Sequence, residues 1–373
     1  MIYFLFCAVS VYVFLMIFFW MGFKKVSCNA ENLSAEKRSF SIVVPFRNEA
    51  HNLPALLQSI EKLKYPVEYF EVILVDDESA EPFQVSGLAS PSSSSSQGRF
   101  QIQIIPNQRT SDSPKKDAIQ TAIHHARFEW IITTDADCVV PENWLSDLNN
   151  YIQNSGKQMV CGPVFFKSKS GFLFDFQQIE MISLQAVTIG SFDFNLAFMC
   201  NGANFAYSRS FFRQLKGFEG NEQIAGGDDV FLLQKAVRIF PDKVGFLLKQ
   251  DFQMVTNPAE SWTELFQQRV RWAGKSTAYS SGFGKFVALL VFMGNLAFIA
   301  SLFLFCFGVF KIIVLLFLKV LSDLIVAGQT ARFYKIKMKS ILVTALVYPF
   351  FSSAVAIYSL VGNYQWKGRT FKS

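Results

Sequence analysis

Hydrophobic positions fall into two regimes along this chain. Residues 1–23 carry no charge and stop at Lys24 and Lys25, and residues 286–310 and 340–362 are two further uncharged runs. At about 1.5 Å per helical residue, such runs match a hydrocarbon core of about 30 Å. A fourth run, 312–327, is apolar except for Lys319 and Asp323. Four apart, they face each other on a helix and are expected to neutralise each other in a short tilted span or to sit beside a polar lipid headgroup. Pro349 breaks the last run, which is read as a simple span with a re-entrant segment as the alternative.

Between these runs the period shortens. Strand-like segments are expected at 40–45, 70–75, 100–105 and 130–134, separated by helical patterns. Leu53, Leu56, Leu57, Ile60 and Leu63 recur at helical spacing after the first strand. Alternating strand and helix predicts an α/β domain with a mostly parallel sheet and ligands at the carboxyl ends of its strands. The amphipathic stretch 172–187 is expected to pack on that sheet. The Ser-rich tract 91–98 is read as a solvated loop.

Composition agrees with a chain that partly dissolves in lipid: 51% of its 373 residues are hydrophobic, 17% are charged and 42 are Phe. Disorder and a small disulfide scaffold are excluded. The net charge of +6 could suggest nucleic acid, but its distribution argues otherwise. Residues 324–373 hold seven Lys or Arg and no acid, which leaves 28 bases against 29 acids before them. The basic residues flank membrane segments, and Lys24, Lys25, Arg332, Lys335, Lys337 and Lys339 mark cytosolic sides by the positive-inside rule. The first run lacks the charged start and small-residue cleavage site of a signal peptide, so it is read as an uncleaved anchor. The six Cys show no CxxC spacing, and no zinc site or disulfide framework is expected.

Charged clusters then fall at the expected strand ends. The first strand runs into Pro45, Arg47, Asn48 and Glu49; the second ends in Asp76 and Asp77; Lys115 and Lys116 open a helix after the third; the fourth ends in Asp135 and Asp137. Asp at a strand end is usually a turn or cap residue, but four clusters at one sheet edge suggest a site. Asp135 and Asp137 are two apart, so both carboxylates can point the same way. With substrate phosphates, such a pair suits Mg²⁺ or Mn²⁺. Neither a P-loop nor a GxGxxG turn is present. Asp228 and Asp229 read equally as caps of a helix over 230–239.

In order, VPFRNE, VDDES, DAD, GGDD and QRVRW resemble the family 2 glycosyltransferases. This is the inverting, membrane-associated group that includes cellulose, chitin and hyaluronan synthases and ceramide glucosyltransferases. The resemblance runs from about residue 40 to 275 and implies a GT-A fold, Rossmann-like, that binds a nucleotide-sugar. It implies that Asp76 and Asp77 contact base and ribose, with Pro45 and Glu49 lining the same pocket. Asp135 and Asp137 become the DxD pair, with Asp137 as the direct ligand of Mg²⁺ or Mn²⁺. Lys115 stands where the family often has Gly-Lys, with Pro114 in place of the glycine. Asp229 matches the catalytic base, and Gln268, Arg271 and Trp272 match QxxRW, near the diphosphate and the acceptor entrance. Residues 198–204 resemble the acceptor-site loop more weakly. Arg271 and Trp272 also suit an interfacial anchor.

The expected organisation is an anchor at 1–23, a cytosolic GT-A domain at 24–285, about three membrane segments over 286–363 and a basic tail at 364–373. The expected protein is an integral membrane enzyme of the plasma (inner) membrane, its catalytic domain facing the cytosol. The expected reaction moves one sugar from a UDP- or GDP-sugar to a lipid hydroxyl. A processive polysaccharide synthase working on a glycan acceptor is the nearest rival, and a non-catalytic membrane scaffold the remote one. The apolar runs hold few polar residues with which to line a polymer channel.

Overall fold

Parallel pairing aligns the ends of the first four strands, and that alignment organises the larger unit of the chain. The computed structural model describes residues 2–26, 36–83, 100–224, 226–366 and 369–372. The expected loop at 91–98 lies outside them. The chain divides into two compact units. One comprises Cys28–Phe165 and Cys200–Asn257, the other Met1–Ser27, Phe166–Met199 and Pro258–Ser373.

The first unit alternates strand and helix: β1 (Phe40–Phe46), α2 (Leu53–Glu61), β2 (Phe70–Asp76), β3 (Gln101–Pro106), α3 (Pro114–His125), β4 (Trp130–Thr133), α4 (Trp144–Ser155), β5 (Met159–Cys161) and β6 (Val164–Phe166). After an excursion into the second unit it resumes with β7 (Phe205–Ser208), α6 (Arg209–Gln214), α7 (Asp228–Ile239), β8 (Val244–Phe246) and β9 (Met254–Thr256). Seven strands form one sheet in the order β3-β2-β1-β4-β7-β5-β8. β1, β2, β3 and β4 are mutually parallel, with Phe46 opposite Asp76 and Asp76 opposite Pro106. Only β7 runs against its neighbours. β1 and β2 are buried along almost their whole length, as strands covered on both faces must be. Leu53, Leu56, Leu57 and Ile60 of α2 are buried in the core shared with both strands.

The second unit contains α1 (Ile2–Lys25), α5 (Phe172–Phe192), α8 (Trp262–Gly274), α9 (Gly282–Cys306), α10 (Ile313–Phe333), α11 (Ile341–Tyr358) and a hairpin of β10 (Asn363–Trp366) and β11 (Arg369–Lys372). Among the described residues, α1, α9 and α11 are long and apolar enough to cross a membrane. About three such segments were expected after the catalytic region; length and composition give two. The other apolar run is helix α10, whose Lys319 and Asp323 form the expected ion pair at 2.7 Å, with Lys319 fully buried. The region expected as a basic tail is mostly the β10–β11 hairpin.

The stretch 172–187 departs from its expected place on the sheet. It belongs to α5, which packs along α1 and α10. The reason is a close backbone crossing: a Cβ on Gly22 would overlap the Gly190 carbonyl, and one on Gly190 would overlap the Phe19 backbone. Phe18 and Phe194 stack beside the crossing at 4.2 Å.

Candidate active site

The carboxyl edge of β1, β2, β3 and β4 collects the expected clusters of the first unit. The ladder continues past the strands, with Asp77 N–H donating to the Phe46 carbonyl at 2.9 Å and Asn107 N–H to the Asp76 carbonyl at 2.8 Å. Asn48 adopts a left-handed backbone (φ 55°), which turns the chain sharply after β1. Its side-chain oxygen accepts from Ala80 N–H and its own N–H donates to Ser79 Oγ, each at 2.9 Å. The turns after β1 and β2 are thereby joined. Pro45 is half-buried at the end of β1. Glu49 beyond it accepts the Asn52 amide at 2.6 Å through Oε2. Asp76 accepts Ser79 N–H at 2.9 Å.

Asp77 is buried under a cover of donors, two of which, Asn107 and Arg109, the sequence alone does not point to. Asn107 Nδ2 donates to its Oδ1 at 2.7 Å, Arg109 lies 3.6 Å from the same oxygen, and Arg47 donates to its backbone carbonyl at 2.6 Å. Arg109 is itself held by Asp117, a fully buried carboxylate that also accepts from the N–H and hydroxyl of both Thr110 and Ser111. Burial opposes the Asp117 charge, but these hydrogen bonds prevail and hold its carboxyl below the usual range. No periodicity distinguishes Asn107 or Arg109; only the loop's position at the sheet edge could have singled them out.

α3 begins with Pro114 in its first turn, where the missing N–H costs nothing, and sends two lysines in different directions. Lys115 bonds Asp135 at 2.7 Å and lies 3.7 Å from Asp228. Burial works against its charge, but Asp135, Asp228 and Asp229 outweigh it and raise the amine above its ordinary value. Lys116 is buried and donates to the carbonyls of Asn221 (2.6 Å) and Ile224 (2.9 Å), in the loop leading to Asp228. Burial lowers its amine to about 8 despite nearby Asp228, Glu222 and Asp229. Ser113 accepts the Gly226 N–H of the same loop at 3.2 Å.

Asp135 and Asp137 follow β4. Thr256 donates to Asp137 at 2.9 Å. Burial, then the charges of Asp135 and Glu49, push the Asp137 carboxyl up to about 6. Hard oxygen donors under mutual repulsion are a fit for a divalent cation, which these two carboxylates could hold with phosphate oxygens. Among the described residues, no group of three or more His, Cys, Asp or Glu side chains could hold a metal by itself.

The turn does not match the alternative reading of Asp228 and Asp229 as N-caps. Gly227, with φ 68°, occupies the N-cap, and α7 starts at Asp228 itself, so both acids lie in the first turn. The Asp229 carboxylate accepts Gly202 N–H through Oδ2 and its neighbour Val230 N–H through Oδ1, each at 2.7 Å. Gly202 lies in the 198–204 segment.

Gln268, Arg271 and Trp272 stand on α8 in the second unit. Ser261 caps this helix by accepting Glu264 N–H at 3.1 Å. Between the expected residues lies Arg269, buried and paired to Glu180 of α5 at 2.7 Å. Its guanidinium stacks 4.2 Å from the Trp272 ring centroid and donates to Gln268 Oε1. The sequence reading missed both Arg269 and Glu180.

Two family models match: Glycosyl transferase family 2 over residues 41–216 and Glycosyl transferase family group 2 over residues 130–359. None of the curated proteins compared with the chain matches it. Among solved structures, the mannosyltransferase PcManGT from Pyrobaculum calidifontis, in complex with GDP-Man and Mn²⁺, is 15% identical, with 96% of this chain and 98% of that one covered and a TM-score of 0.58. S. aureus TarS is 14% identical at a TM-score of 0.43, with 68% of this chain and 42% of TarS covered, so the chain spans about two fifths of that protein. TarS 1–349 with UDP-GlcNAc is 12% identical at a TM-score of 0.43, with 90% and 96% covered. The Pyrobaculum likeness is one of fold.

Proposed function

From the premise that the chain belongs to glycosyltransferase family 2 and has a GT-A fold, we propose that it is a membrane-bound inverting enzyme that moves a sugar from a nucleoside-diphosphate sugar to a lipid hydroxyl. The carrying observation is the link from Lys115 to Asp135 and Asp228, which brings the strand-end carboxylates and the start of α7 to one sheet edge. An inverting transfer needs a carboxylate opposite the leaving diphosphate to take the acceptor proton, and Asp229 is that base in our reading. It stands in the first turn of α7, and its carboxylate is held in place by two backbone N–H donors.

We assign the nucleoside to Asp76 and Asp77, with Pro45 and Glu49 lining the pocket, and add Arg109 and Asn107 as groups that orient Asp77. Asp135 and Asp137 would hold Mg²⁺ or Mn²⁺, which when bound supplies charge that stabilises the leaving diphosphate. The Pyrobaculum complex with GDP-Man and Mn²⁺ supports this reading of donor and metal. Lys115 adds a fixed cation near the diphosphate. Gln268, Arg271 and Trp272 are assigned to the diphosphate and acceptor from their motif alone. The apolar helices favour a lipid acceptor, and the basic flanks favour a cytosol-facing catalytic unit at the plasma (inner) membrane.

The test is incubation of the purified protein with labelled UDP- and GDP-sugars, Mn²⁺ and membrane lipid, followed by sizing of the product. Label in a lipid bearing one sugar supports the reading. Label in long lipid-free polymer, or no transfer from any donor, overturns it.

A further inference from the structure

Helix α10 carries an ion pair and α11 a proline, yet it is α10 whose contacts follow a membrane crossing. Leu315, just inside α10, clusters with Leu5 and Val9 near the start of α1. Further along, Asp323 accepts the Tyr12 hydroxyl at 2.5 Å, and Val326 packs with Leu15, Met16 and Phe19. At the far end, Phe333 meets Phe23 at 5.9 Å between ring centroids. α10 therefore runs parallel to α1 over nearly its whole length. α9 runs the other way, antiparallel to α1, with Phe283 against Phe19 and Ala297 in the cluster of Leu5 and Val9. Lys24, Lys25, the start of α9 and the end of α10 thus share one face, and Arg332, Lys335, Lys337 and Lys339 fall there too.

α11 begins and ends on that same face. Directly after the basic turn, Ser340 donates to Asp175 in the first turn of α5 at 2.8 Å. Near its end, Tyr358 meets Phe266 of α8 at 5.5 Å, and Val355 packs on Val270 of α8. α8 leads within a few residues into the start of α9, and its Glu264, Gln267, Gln268, Arg269 and Arg271 suit it to the membrane surface rather than the hydrocarbon. β10, following α11, also packs on α8. Midway, Ser352 accepts the Asn295 amide of α9 at 3.2 Å. Eighteen helical residues reach roughly 27 Å, enough to cross, but a crossing would separate the two ends. Leu342, Leu346, Phe350 and Ile357 lie exposed in one row along α11.

We propose that α10 crosses the membrane and α11 does not. α11 enters the leaflet on the Lys24–Lys25 side obliquely, lays its exposed row against acyl chains, and returns the β10–β11 hairpin to the face from which it entered. The occupant of that row is lipid, because α9, the crossing helix that α11 packs against, also turns large apolar residues outward, such as Phe286, Leu289 and Phe303. The inference rests on contacts within one unit and is independent of the transfer proposed above.

The unaltered full chain tests it, through modification of lysines by a membrane-impermeant amine reagent on intact and on permeabilised spheroplasts, mapped by mass spectrometry. Lys311, in the turn between α9 and α10, is expected to react in intact spheroplasts. Lys335, Lys337, Lys339, Lys367 and Lys372 are expected to react only after permeabilisation. Reaction of Lys367 and Lys372 in intact spheroplasts, with Lys335, Lys337 and Lys339 still protected, means that α11 crosses and overturns the proposal. Reaction of Lys335, Lys337 and Lys339 in intact spheroplasts means that α10 does not cross, and overturns it equally.

Discussion

Asp229 accepts the backbone N–H of Gly202 at 2.7 Å, so the acid assigned as base is tied to the turn before β7. Replacing Asp229 with Asn keeps an oxygen that Gly202 can reach but removes the proton acceptor. Transfer should fall by about 10² to 10⁴, the usual worth of general-base catalysis. Donor affinity should change little, because the base acts on the acceptor. Calorimetric titration of UDP-sugar with Mn²⁺ checks this; a collapse of donor binding would move Asp229 into the donor site.

Asp137 gives a pH dependence whose sign follows from its raised carboxyl. A cation competes with the proton, so apparent Mn²⁺ affinity should drop about tenfold per pH unit below about 6 and level off above it. Without metal the linkage runs the other way. The folded state holds the proton at a pH where the unfolded chain has lost it, so falling pH through about 6 relieves repulsion and adds stability. Titrations of Mn²⁺ between pH 5 and 8, repeated on Asp137→Asn, test the assignment: the variant should bind weakly and lose this pH dependence.

Asp117 shifts in the opposite direction and predicts the opposite limb. Its carboxyl is held below the ordinary value, so its stabilising effect is complete above the unfolded value near 4 and is lost as pH falls through the lower folded value. Asp117→Asn should cost about 2 to 3 kcal/mol through its charge-assisted hydrogen bonds. It should also weaken nucleotide binding, since Arg109 loses the group that holds it beside Asp77. Urea unfolding at pH 7 and pH 3.5 checks the first effect: the gap between wild type and variant should narrow at the lower pH.

Much of this was legible because strand ends and acids coincide. The alternation of apolar runs located β1, β2, β3 and β4 within a residue or two, and parallel pairing then forced Asp76, Asp77, Asp135 and Asp137 to one edge. Residues whose role depends on tertiary burial left no such trace. Lys116 differs from Lys115 only in the direction it leaves α3, and Asn107 and Arg109 occupy an irregular loop. α5 was misplaced because an amphipathic stripe says that a helix buries one face and not against what. The partner was decided by two glycines, Gly22 and Gly190, which stand 168 positions apart in sequence and have no joint pattern.

The buried pair Arg269–Glu180 makes the last prediction, because breaking it and replacing it should differ in sign. Arg269 donates through Nε to Glu180 Oε2 at 2.8 Å and its Nη2 lies 2.7 Å from the same oxygen as an ion pair, with both side chains almost fully buried. Arg269→Met strands the Glu180 charge and should cost about 3 to 5 kcal/mol, the range for an uncompensated buried partner. Changing Glu180→Leu in the same chain removes that charge and should recover most of the loss. Thermal unfolding in detergent measures both steps. The double variant separates stability from chemistry: Trp272 loses the guanidinium stacked on it, so sugar transfer should remain impaired even where folding is restored. Recovery of full transfer along with stability would show that Arg269 serves only to hold α8 to α5 and has no part in orienting Gln268 and Trp272.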